Sequence, residues 1–97
     1  MKKLLLLAMF IFVSSVANAA TLKEGALYCV SSKKITSYYK FIENNYNDYA
    51  QQLMDRSDCF IKGKNEEVFV KSEQKKFVEL QLLSGFTIWT KKENITR

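Results

Sequence analysis

The stretch VFVKSEQKKFVELQLLSGFTIWTKKENI, Val68 to Ile95, decides the fold. Within it Phe77-Val78-Glu79-Leu80-Gln81-Leu82 alternates, with Val78, Leu80 and Leu82 on one face, the period of a half-buried strand. Ser84-Gly85 turns the chain back into a second strand, Phe86-Thr87-Ile88-Trp89-Thr90. Upstream, Cys59-Phe60-Ile61-Lys62 runs to a turn at Gly63-Lys64-Asn65, Val68-Phe69-Val70 follows, and a polar turn spans Ser72 to Lys76. Four short strands recurring about every nine residues predict a meander that curls into a small barrel.

N-terminal to the meander, Ala20 to Gly25 reads as a short polar lead and Ala26-Leu27-Tyr28-Cys29-Val30 as the first strand. Ser31 or Ser32 then caps a helix, because either hydroxyl can accept an orphan backbone N–H of the first turn. Ile35, Tyr38, Tyr39, Ile42, Tyr46, Tyr49, Ala50 and Leu53 follow at spacings of three and four, predicting one long helix from Ile35 to Met54 that closes near Arg56. The stripe Ile35/Ile42/Tyr46/Tyr49/Leu53 is expected to lie on the sheet. Asn44-Asn45 lowers helix propensity in the middle and can kink or split the helix.

The first nineteen residues carry an address. Met1-Lys2-Lys3 is a basic start, Leu4 to Val13 is apolar, and Ala17-Asn18-Ala19 precedes Ala20, which is the order of a secretory signal peptide with cleavage after Ala19. The apolar run is shorter than the roughly 20 residues of a spanning helix. Position 20 is Ala rather than the Cys of a lipoprotein. The expectation is a signal peptide, 1–19, a single domain, 20–97, no transmembrane segment after cleavage, and a bacterial periplasmic or secreted location.

Losing Lys2 and Lys3 lowers the formal charge from +5 to +3. The lysines fall in scattered pairs, Lys33-Lys34, Lys75-Lys76 and Lys91-Lys92, which read as solvated loop ends and not as a nucleic-acid stripe. Both cysteines, Cys29 and Cys59, lie in the exported part, so one structural disulfide is expected. Their spacing is not the C-x-x-C of a redox site.

Val68 to Ile95 resembles the back half of bacterial Src-homology-3-like barrels, in which a strand and polar loop precede an alternating strand, a tight Gly turn and an aromatic-bearing strand. The resemblance places Ala26-Leu27-Tyr28 as the first strand and a one-turn helix at Lys91 to Ile95. It implies a binding module, for peptides or cell-wall material, and implies no catalysis. In this chain the long loop that helps form the family's groove is replaced by the helix, so no groove residue carries over. The fold expected is α+β: a small antiparallel Src-homology-3-like β-barrel with one long helix inserted between the first and second strands, and one disulfide.

The chain has no His, which removes His-based triads and His-containing zinc motifs. No G-x-S-x-G occurs. Glu66 and Glu67 point to opposite faces of a strand, and Asp55 and Asp58 sit at a helix end, so no acid–base pair or metal site is indicated. No enzyme activity, cofactor or metal is expected. Phe60, Phe69 and Phe77 alternate with Ile61, Val68, Val70 and Val78, and are expected to share the outer sheet face as an aromatic binding patch rimmed by Lys62, Lys71 and Lys75. The competing reading buries all three in a closed core. The function expected is a monomeric, non-catalytic binding module for an envelope protein or cell-wall polymer, with no nucleic-acid partner. The alternative is a periplasmic inhibitor or a phage or conjugation exclusion factor, blocking a hydrolase or an incoming genome. A small hydrolase comes third.

Overall fold

The computed structural model describes residues 18–97. The expected signal peptide lies outside the described residues apart from Asn18 and Ala19. The chain is α+β. Its strands are β1 (Ala19–Leu22), β2 (Leu27–Cys29), β3 (Cys59–Ile61), β4 (Glu66–Glu73), β5 (Phe77–Leu82), β6 (Thr87–Lys91) and β7 (Ile95–Thr96). The helices α1 (Ser32–Glu43) and α2 (Asn47–Asp55) join β2 to β3, and a 3₁₀ turn at Lys92–Asn94 precedes β7.

The strands form one antiparallel sheet in the order β3-β2-β6-β5-β4-β1-β7. Edge strands β3 and β7 do not pair with each other, so the sheet is open where a closed barrel was expected. The β1–β2 link is bonded towards both edges: the Gly25 amide donates to the Lys62 carbonyl at 2.8 Å and the Lys23 amide to the Asn94 carbonyl at 3.0 Å. Ala20 to Gly25 is thus not a polar lead. Ala20 pairs with Val68 in β1 and is buried, as is Leu22. A four-residue strand with two small residues carries too little apolar pattern to be read alone. Because β1 comes first, the helical insertion lies between the second and third strands.

Two apolar clusters use the two faces of the sheet. Ala20, Leu22, Ala26, Val68, Val78, Leu80 and Ile88 form one, flanked by Tyr28, Val70, Leu82 and Ile95. No helix belongs to this cluster, so the sheet buries that face by coiling over itself. Leu27, Cys29, Cys59 and Phe77 face the other way and meet Ile35 and Leu53 of the helices, with Tyr38, Tyr39, Phe41, Met54 and Trp89 around them. Strand alternation accounts for the split: Leu27 and Cys29 go to the helices, Tyr28 to the opposite face.

The single long helix is replaced by two. Ser31 caps α1, its hydroxyl accepting from the Lys34 amide at 3.1 Å. The helix stops at Asn44-Asn45, where Asn45 takes φ +61°, a left-handed conformation that Asn tolerates better than most residues. After the break Ala50 and Leu53 stay buried while Tyr46 and Tyr49 turn outward. Ile42 is exposed, and Tyr46 and Tyr49 are 56 % and 54 % exposed, so they do not lie on the sheet as expected. Phe41 packs against the helix-side cluster instead. Ile35 and Leu53 hold their expected places in the core.

Cys29 and Cys59 stand directly opposite each other on β2 and β3 and form the disulfide. It closes the loop that contains both helices, tying the insertion to the sheet at its root.

Candidate functional site

A groove of about 530 Å³ opens between α1, the β4–β5 turn and the 3₁₀ turn. Thr36, Tyr39, Lys40 and Glu43 line it from α1, Lys75, Lys76 and Phe77 from the turn into β5, and Lys91, Lys92 and Glu93 from the end of β6. Its size is that of a small-ligand or short-segment site.

The floor is aromatic and already packed. Phe77 is 9 % exposed and stacks on Tyr39, with ring centroids 6.0 Å apart. Tyr38 meets Tyr39 edge-on at 5.3 Å. The Lys91 ammonium sits 4.0 Å from the Tyr39 ring centroid, a cation–π contact, and 3.9 Å from the Glu93 carboxylate. Burial raises the Tyr39 phenol above its ordinary value, helped by Tyr38 and the Glu93 charge and opposed by a polar contact with Asn94.

The rim is cationic. The β5–β6 register places Phe77 opposite Lys91, and the Lys92 amide donates to the Lys76 carbonyl at 3.2 Å. Two lysine pairs that are far apart in sequence are therefore neighbours in space, and Lys40 joins them from the last turn of α1. Among the described residues, Lys40, Lys75, Lys76 and Lys92 make no ion pair. Five lysines against Glu43 and Glu93 leave a surplus of positive charge at this mouth.

The three phenylalanines of the expected patch do not meet. Phe77 is buried beneath Tyr39 and forms the groove floor, beside Lys75. Phe69 pairs with Gln81, which puts it on the same sheet face as Phe77, but it lies beyond the helices and is 43 % exposed. Phe60 faces the opposite way, paired with Tyr28 and stacked on its ring at 5.4 Å. Lys62 is ion-paired with Glu66, and Lys71 is exposed at a register shift between Val70 and Ser72. Only Phe77 and Lys75 are brought together. Tyr39, Lys40, Lys76, Lys91 and Lys92 were missed as site residues. Counting outward from a three-residue Leu83–Gly85 loop, across which the Leu82 amide donates to the Phe86 carbonyl, sets Lys76 against Lys92, whereas a two-residue Ser84-Gly85 turn would set it against Glu93.

Among the described residues no three His, Cys, Asp or Glu side chains gather as a metal site, and no helix is long and apolar enough to cross a membrane. The chain matches no protein-family model, no curated protein and no solved structure. Function therefore rests on the groove itself.

Proposed function

We propose that the chain is an exported, non-catalytic binding module of the bacterial envelope, related to the Src-homology-3-like barrels, and that its partner docks in the groove over Tyr39 and Phe77. The lysine-rimmed groove carries this reading. It offers concave shape, a rigid apolar floor and unpaired cations, the ingredients of steered recognition. Its titratable groups, five lysines, two glutamates and one phenol held more firmly protonated than usual, support a reading as a binding site. The disulfide and the apolar contacts of α1 hold the floor rigid before a partner arrives, which reduces the ordering cost of binding.

In-cell photocrosslinking tests the proposal. A photoreactive residue at Lys76, in the groove, is expected to trap a discrete envelope partner. The same residue at the exposed Lys64, in the β3–β4 turn outside the groove, is expected to trap none. Recovery of one hydrolase in equal amounts identifies the module as an inhibitor. Absence of any product at Lys76 overturns the proposal.

A further inference from the structure

We infer, resting on that reading, that the groove takes an acidic segment of a polypeptide, with its carboxylates against Lys40, Lys75, Lys76 and Lys92 and its backbone N–H groups toward Glu43 and Glu93. Four observations converge on this chemistry. The four lysines have no ion-pair partner among the described residues, so their charge faces the groove uncompensated. Lys91, by contrast, is committed to Tyr39 and Glu93 and serves the floor.

The cations are all lysine. Arg56 stands at the end of α2 and Arg97 is paired with Glu73, so no guanidinium fork reaches the groove for bidentate phosphate recognition. Ammonium point charges on flexible stems suit single carboxylates at variable positions.

Neither ring is available as a stacking platform. Phe77 is buried, and Tyr39 is half-buried and already in contact with Phe77, Tyr38 and Lys91. Unpaired bases are recognised largely by stacking on open aromatic faces, and this floor presents none. A nucleic acid is disfavoured on that ground.

The rim is of mixed sign. Glu43 and Glu93 repel a uniformly anionic polymer, whereas a polypeptide presents main-chain donors between its acidic side chains. A chain alternating acceptors and donors matches lysines interspersed with glutamates.

The probe is a short acetylated peptide of alternating Glu and Ser, titrated into the isotope-labelled protein and followed by amide chemical shifts. Shifts are expected at Tyr39, Lys76, Phe77 and Lys92, weakening as salt is raised. The Lys76→Glu/Lys92→Glu double variant is expected to bind about tenfold more weakly with an otherwise unchanged spectrum. A peptide with Gln in place of Glu is expected to give no shifts. Shifts outside the groove, none at all, or binding of polyphosphate or polygalacturonate to the groove in preference to the Glu-Ser peptide overturn the assignment. A crosslinked partner at Lys76 together with a silent peptide titration removes the acidic-segment inference alone, whereas no crosslink at all removes the binding-module reading.

Discussion

The Thr90 hydroxyl donates a 2.7 Å hydrogen bond to the Leu27 carbonyl, joining β6 to β2 inside the protein. Thr90 is fully buried, the one polar residue in the described interior, and it also accepts from the Asn94 side-chain amide at 2.9 Å. One hydroxyl thus ties two central strands to the 3₁₀ turn that presents Lys92 and Glu93. Thr90→Val keeps the shape and removes both bonds. The variant is expected to lose about 1–3 kcal/mol, and each kcal/mol lowers Tm by about 4–8 °C in a domain of this size. Thermal unfolding followed by circular dichroism checks this, and an unchanged Tm would show that the network contributes nothing.

The phenylalanines separate by burial. Phe77→Ala removes a buried ring from beneath α1 and is expected to cost about 3–5 kcal/mol, a large share of the roughly 5–15 kcal/mol that a small domain has in total. Phe69→Ala, on the uncovered part of the same sheet face, is expected to stay within about 0.5 kcal/mol of the parent. Urea unfolding of the two variants side by side tests the assignment. Equal losses would mean that Phe69 is covered by something other than solvent.

The same residues show what was legible in the sequence. Alternation in Phe77 to Leu82 assigns Val78, Leu80 and Leu82 to one face, and the structure places them there, because a period of two is a local property of an extended chain. The disulfide follows from two cysteines in a chain read as exported to an oxidising compartment. The outward turn of Tyr46 and Tyr49 was less legible, because a single left-handed residue at Asn45 resets the helical phase and spacing cannot show that it does. Phe60 was misplaced relative to Phe69 and Phe77 because faces were compared across separate strands, where register depends on long-range pairing. The groove was hidden for the same reason: Lys75-Lys76 and Lys91-Lys92 are ordinary surface pairs until the hairpin register sets them side by side.

Reduction of the disulfide provides a third test. Cys29 and Cys59 are 30 residues apart and both are buried, and the loop they close contains α1 and α2. The chain-entropy relation gives about 3.6 kcal/mol for a loop of this length. The Cys29→Ala/Cys59→Ala variant is expected to lose roughly that amount, with proteolysis beginning in the released helices. Protein isolated from the cell envelope without reductant is expected to begin at Ala20 and to weigh two hydrogens less than the dithiol. Two free thiols in such material, or an unchanged urea midpoint in the variant, would refute the bridge as a stabilising staple.

Tyr39 gives the pH dependence its sign. Burial lifts its phenol above the ordinary value of about 10, with Tyr38 and Glu93 acting in the same direction. Below that ordinary value both folded and unfolded chains keep the proton, and the contribution to stability is fully present. As pH rises further the unfolded chain ionises first, so stability falls through the interval up to the raised folded value. Tyr39→Phe removes this loss while keeping the ring that stacks on Phe77. The difference in unfolding free energy between parent and variant is therefore expected to be flat up to about pH 10 and then to shift in favour of the variant. Urea unfolding across the alkaline range, with ultraviolet titration of the phenols alongside, measures both quantities. A difference that stays flat above pH 10, or one that turns against the variant, would mean that the groove floor is open to solvent and that Tyr39 is not held down by its neighbours.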